Sequence, residues 1–252
     1  MKESSGKLNV IVPARIGSNR VPIKNLRLLN DKPLISYIIN TLKKTKYLND
    51  FEINSDSELF AKIANENNIG LYIRPKDLAK SSSLIDEYIY DYIKNKKPDH
   101  LAVVNPTSPF ITSEELDNAW LTYLNSDCDT LLSCEKVQTH CFLNGKPINF
   151  SIKNKHPRSQ DIDPVYALNF AITIWNCSSF LETYEKFGYG VYSGKLDFFI
   201  TSELASIDID YPEDFTMAEY IADLQKKENL YKEAEFPEYV KEYMKLNKNI
   251  QN

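Results

Sequence analysis

The sequence predicts a three-layer α/β/α fold around a mostly parallel sheet. Three observations predict it. Short β-rich runs alternate with segments of helical period from Leu8 to Ser133, the alternation breaks off between about Glu135 and Leu196, and it returns between Ile200 and Ala222. At 252 residues and 42% hydrophobic content the chain can bury a core without metals or disulfides.

Leu8 to Val12 reads as a first strand closed by Pro13, and from Pro33 the apolar residues Ile35, Ile38, Ile39 and Leu42 recur at helical spacing. Phe51 to Asn54 is a second strand, followed by a helix carrying Leu59, Phe60, Ile63 and Ala64, with Gly70 as its stop. Leu71 to Ile73 is a third strand, and Ile85, Tyr88, Ile89 and Tyr92 mark the next helix. Leu101 to Val104 has the unbroken apolar character of a strand buried on both faces. Thr112-Ser113-Glu114-Glu115 is a capping-box start for a helix with Leu116, Ala119, Trp120 and Tyr123 inward, and Thr130 to Ser133 follows as a strand. In the break, turn residues and short β-like pieces point to an inserted subdomain over 135–196. Ile200 to Leu204 and Ile207 to Asp210 read as strands, and a helix starts near Pro212. The tail 227–252 is charged with interleaved Tyr231, Phe236, Tyr239, Tyr243 and Met244, which suggests a docked helix.

A net charge of −5 argues against a general nucleic-acid or anionic-membrane binder, so any polyanionic ligand must meet a local basic patch. Cys128, Cys134, Cys141 and Cys177 show no zinc spacing, and His100, His140 and His156 follow no triad or metal pattern. Reduced thiols, no signal-peptide pattern after Met1 and no apolar run of membrane length give the expectation of a soluble cytoplasmic protein.

The local patch lies just after the first strand. From Lys7 to Lys46 the only acid is Asp31, against nine Lys and Arg. The segment Pro13-Ala14-Arg15-Ile16-Gly17-Ser18-Asn19-Arg20-Val21-Pro22-Ile23-Lys24-Asn25 is neither a Walker A loop nor a G-x-G-x-x-G turn. It still has the content of a phosphate cradle: a small-residue bend with free backbone N–H groups and three cations. A bare charge cluster is also compatible with a solvated face, but ligands of open α/β sheets bind beyond the carboxyl ends of the strands, where this loop falls. Asp208 and Asp210, two apart in a strand-like run, would share one face and suit Mg²⁺, although acids before a helix also serve as caps.

This loop resembles the opening pattern of the acylneuraminate cytidylyltransferases, P-A-R-x-G-S-K-G-x-P-x-K-N. The resemblance continues through Leu29 to Ile35, Ser55-Asp56-Ser57, Arg74-Pro75-Lys76-Asp77-Leu78-Ala79 and Asn105-Pro106-Thr107-Ser108-Pro109. Arg158-Ser159-Gln160-Asp161, Asn169-Phe170-Ala171-Ile172 and Ser206-Ile207-Asp208-Ile209-Asp210 complete it, over about residues 8 to 222. It implies a Rossmann-like nucleotidyltransferase fold with a nucleotide-binding catalytic α/β domain over 1–134 and 197–226. The insert over 135–196 would serve dimerisation and the sugar site, ahead of the helical tail. The implied reaction moves CMP from CTP to the hydroxyl of an acidic keto-sugar with release of pyrophosphate, using Mg²⁺, in a homodimer.

By the same resemblance Arg15, Lys24 and Asp210 are catalytic, and Ala14, Arg15, Gly17, Ser18, Asn19, Arg20, Lys24 and Arg74 bind the nucleotide. Arg20 would stand in for the lysine that the pattern has at Asn19. Asn105, Thr107, Ser108, Arg158, Gln160 and Asn169 would bind the sugar, and Asp208 and Asp210 the metal. Taken singly, Arg74 and Arg158 could be surface ion pairs and Asn169 could satisfy backbone groups. The departures gather on the sugar side, where Asn105 shortens the family's glutamine, Ile111 replaces an arginine and Ser81 an acid. A related transferase using another nucleotide, or a non-catalytic nucleotide-binding protein, are the competing readings.

Overall fold

In the computed structural model the described residues are 8–18 and 20–226, with Pro237, Glu238, Val240, Lys241 and Lys245. Asn19 and the proposed helical packing of the tail lie outside them. The strand β1 (Leu8–Pro13) is buried through Val10, Ile11 and Val12, since its apolar run meets helices on both sides. A small ribbon, β2 (Leu28–Leu29) and β3 (Lys32–Pro33), then leads into α1 (Leu34–Leu42), whose Ile35, Ile38, Ile39 and Leu42 are buried at the expected spacing. Next come β4 (Leu48–Ser55), α2 (Ala61–Asn67), β5 (Gly70–Ile73), α3 (Ile85–Lys96), β6 (His100–Val104), α4 (Ser113–Asn125) and β7 (Thr130–Val137), in the order the sequence indicates. The box at α4 closes as read: Thr112 Oγ1 accepts from Glu115 N at 3.1 Å and Glu115 Oε2 accepts from Thr112 N at 3.0 Å.

The remaining elements are the hairpin of β8 (Phe142–Leu143) and β9 (Lys146–Pro147), then β10 (Val165–Asn176), α5 (Cys177–Phe187), β11 (Leu196–Ile200) and α6 (Pro212–Lys226). The main sheet has seven strands in the order β11-β7-β10-β6-β1-β4-β5. All its pairings are parallel except those of β10, which is antiparallel to both β6 and β7. Residues of α1, α2 and α4 pack with Val10, Val12 and Ile53 on one face, while those of α3 and α5 pack with Ile11, Val103 and Trp175 on the other. A third cluster seats Ala218 and Ala222 of α6 against Leu29, Leu34 and Ile209.

Three local expectations are corrected. The segment 135–196 is not set apart from the sheet as a whole: β10 lies between β7 and β6, α5 packs on the sheet face, and apart from the connection 188–195 the stretch outside these elements is 138–164. Turn residues and charges within 138–164 concealed the strand that follows them. Gly70 does not stop α2; Asn68, left-handed at φ 54°, caps it. Gly70 instead opens β5 and leaves room for Glu52, because a Cβ there would stand 2.6 Å from Glu52 Cγ. Finally, the strand near residue 200 is β11, which ends at Ile200, and Ile207 to Asp210 is extended loop without a ladder. Its alternation has another cause: Ile209 is buried against α6, while Asp208 and Asp210 turn the other way. The four cysteines are free, with Cys128, Cys134 and Cys177 buried. No helix among the described residues is long and apolar enough to cross a membrane.

Candidate active site

The carboxyl ends of β1, β5 and β6 open onto a cleft of about 550 Å³. Its first wall is the loop after β1, which is pinned from below: Ala14 N donates to Asn54 O at 2.9 Å and Ile16 N to Asp56 Oδ1 at 3.0 Å. Arg15, Ser18, Arg20 and Lys24 of this loop face the cleft, joined by Arg74 from the end of β5. Asn105 and Thr107 follow β6, and Asp208 and Asp210 come from the loop ahead of α6. Residues far apart in sequence therefore meet in one place, as the sequence pattern implied.

The cations are held in different ways. Lys24 is mostly buried, and its Nζ donates to Ile209 O at 2.6 Å and pairs with Asp210 Oδ1 at 3.0 Å. Arg20 is exposed; its Nη2 lies 2.9 Å from Asp210 Oδ2 and its guanidinium stands 5.0 Å over the Tyr211 ring. Arg15 Nη1 donates to Lys80 O at 3.0 Å, tying the loop to the opposite rim. Arg74 is buried and donates from Nη2 to Asn54 O at 3.2 Å. Burial pulls its pKa down, but it stays protonated near neutrality because an arginine begins so high.

Asp208 and Asp210 are not the cap of α6. Asp214, in the first turn of α6, reaches back instead: its Oδ2 accepts from Asp210 N at 2.8 Å and Tyr211 N at 2.7 Å. The Asp208 carboxyl is raised above the usual aspartate range, mainly because the surrounding protein displaces water, with the Thr107 hydroxyl acting in the opposite sense. Two carboxylates on one cleft wall fit Mg²⁺, which takes one or two protein oxygens and fills its shell with phosphate and water. No group of three or more His, Cys, Asp or Glu is placed to hold a metal among the described residues.

Several expected residues sit elsewhere. Ala14 is buried beneath the loop and Gly17 is exposed on its crest. Ser108 is buried, with its Oγ unpartnered. Arg158 forms a bidentate pair with Asp161 at 2.7 and 3.0 Å on an exposed turn beside the exposed Gln160, outside the cleft lining. Asn169 is satisfied internally. It accepts from Ser133 Oγ at 2.6 Å and donates to Thr201 Oγ1 at 2.8 Å and Ser206 Oγ at 3.1 Å. Sequence reasoning passed over Lys80, Ser83 and Tyr88, which also line the cleft. Tyr88 carried a signal, but its helical spacing with Ile85, Ile89 and Tyr92 is shared by core residues.

Residues 9–166 match the family model described as Cytidylyltransferase. The chain belongs to that family. Among relatives of these cytidylyltransferases, the N-acylneuraminate cytidylyltransferase of Streptococcus agalactiae is 29% identical over 217 residues, covering 81% of this chain and 51% of the relative. The chain thus spans about half the length of that relative. The CMP-N,N'-diacetyllegionaminic acid synthase of Legionella pneumophila is 26% identical over 246 residues, covering 88% of this chain and 98% of the relative. Among solved structures, a CMP:2-keto-3-deoxy-manno-octonic acid synthetase complexed with CTP superposes with a TM-score of 0.66 at 12% identity, over 87% of this chain and 100% of that one. At that identity the likeness concerns the fold, and it agrees with a Rossmann-like α/β nucleotidyltransferase architecture.

Proposed function

We propose that the protein is a cytidylyltransferase that moves CMP from CTP to the hydroxyl of an acidic keto-sugar and releases pyrophosphate. The observation that carries this reading is the cleft itself, where Arg15, Arg20, Lys24 and Arg74 face Asp208 and Asp210 beyond the carboxyl ends of parallel strands. The sugar hydroxyl gives up its proton to solvent as its oxygen forms a bond to the α-phosphorus, in line with the oxygen that bridges the α- and β-phosphorus; the bond from the α-phosphorus to that bridging oxygen breaks and pyrophosphate leaves. Such a displacement needs positioning and charge neutralisation more than covalent help from the protein. Arg15 and Lys24 hold the triphosphate, with Arg20 beside them. The cations that now meet Asp210 and Lys80 O can exchange those partners for phosphate oxygens at modest cost, because both kinds of contact are charge-assisted. Asp208 and Asp210 would hold Mg²⁺, which when bound would neutralise charge on the triphosphate.

The acceptor is an acidic nonulosonate-like sugar other than N-acetylneuraminate, since Asn105 and Ser81 on the cleft lining depart from the family pattern; Ile111, the third departure, is buried in the core and carries no part of this argument. We also read the protein as a cytoplasmic homodimer, in keeping with its free thiols. The arm 138–164 exposes Phe142, Leu143, Ile148 and Ile152, and the neighbouring edge strand β11 exposes Leu196, Phe198 and Ile200. A thermal-shift panel of CTP, UTP, GTP and ATP with Mg²⁺ tests the nucleotide. CTP should raise the melting temperature most, and an equal or larger shift with another nucleotide would move the protein to a different transferase class.

A further inference from the structure

Arg74 differs from the other cations of the cleft in how its charge is met. It is only 3% exposed, its Nε has no hydrogen-bond partner, and its side-chain hydrogen bond goes to a backbone carbonyl, Asn54 O. Among the described residues no carboxylate forms an ion pair with it; Asp56 and Asp91 act on it from longer range, and Arg15 opposes them. A buried guanidinium met this way is costly unless something else stabilises it. That partner is the ring of Tyr88, with its centroid 4.6 Å from the guanidinium carbon. Tyr88 stands on the first turn of α3 and, like Arg74, lines the cleft. Burial pushes its phenol up to about 12, so the ring stays neutral at physiological pH.

The choice of a ring over a carboxylate has a chemical consequence. A carboxylate would occupy the N–H donors and cancel the charge, whereas a π face stabilises the cation and leaves the donors, which lie in the guanidinium plane, for another acceptor. We propose that Tyr88 is a positioning residue that stabilises the buried Arg74 guanidinium and holds it aimed into the cleft, so that its N–H groups serve the bound nucleotide. This rests on the nucleotide reading of the cleft. It also gives Tyr88, whose spacing marks it as a core residue, a second task at the end of a core-facing stripe.

The test is a double-mutant cycle on CTP affinity, measured by calorimetry on the full chain with Mg²⁺. Tyr88→Leu and Arg74→Ala should each weaken CTP binding by about tenfold, and the double variant by little more than either alone. Tyr88→Phe keeps the ring and should bind within about twofold of the parent, a rescue that a hydroxyl-based role would not give, while a packing role independent of Arg74 would appear as additivity in the cycle. If Tyr88→Leu does not fold, Tyr88→Met carries the same comparison with a different apolar side chain. The proposal is overturned by near-parental affinity in the ring-less variant, or by its full loss adding to that of Arg74→Ala. A folded parent chain with no affinity for CTP would bring down the nucleotide reading along with this one. Parental affinity that is insensitive to Tyr88 would bring down this one alone.

Discussion

Lys24 is a mostly buried cation of the loop after β1, with two acceptors within 3.0 Å on the segment that carries Asp210. Alanine in its place, or at Arg15, should weaken CTP binding at least tenfold, as the loss of a charge-assisted bond of about 1.5 to 3 kcal/mol requires. Equilibrium binding checks this, and unchanged affinity in both variants would remove the loop from the site. Asp210→Asn should fold normally and lose turnover by about 10²- to 10³-fold, with CTP binding only partly reduced. Asp208 allows a test by pH. Its pKa is raised in the folded chain, so the native state is disfavoured relative to the unfolded one above the ordinary aspartate range and gains as pH falls through the raised value. In EDTA, Asp208→Asn should therefore melt no lower than the parent at pH about 8, with any advantage shrinking as the pH approaches the aspartate range. A markedly lower melting temperature at the higher pH would contradict that direction. At this scale the sequence pattern was informative for the basic loop and the Asp pair, because their residue types are unusual for their surroundings. It was less so for Asn169, whose amide serves three hydroxyls, and for Tyr88, whose stripe continues from core into cleft.

The segments with a strong period, such as α1 and α4, were legible because their buried faces repeat at helical spacing, and at α4 the capping box also marks the start. β10 was not, since its first half carries half-exposed and exposed residues and its ladder shifts register between Leu168 and Thr173, where Phe170 has φ 52°. The pairing of β4 with β5 shows a constraint that no local rule announces. Glu52 accepts from Tyr92 at 2.8 Å and from Lys96 at 2.8 Å, and it fits only because Gly70 has no side chain. Gly70→Ala should cost about 1 to 3 kcal/mol, as overpacking does. Glu52→Ala in the same chain should recover part of the loss; denaturant unfolding of the two variants and their combination measures it. Simple additivity would show that the clash is relieved elsewhere.

For the whole molecule, the sheet order and the two helical layers fix where strand ends gather, and so where the cleft lies. The arm and β11 leave an apolar surface that a second copy would cover. Leu143→Asp with Phe198→Asp should convert the chain from dimer to monomer in sedimentation while the cleft still binds CTP. An unchanged sedimentation profile would exclude that surface as the interface. The most direct measurement of the proposed activity is pyrophosphate release by the full chain with CTP and Mg²⁺ across a panel of acidic keto-sugars, N-acetylneuraminate included. Release that needs both CTP and one of the nonulosonates, falls about 10²- to 10³-fold in Asp210→Asn and is weak with N-acetylneuraminate is the expected result. Tight CTP binding with no pyrophosphate from any acceptor in the panel would contradict it.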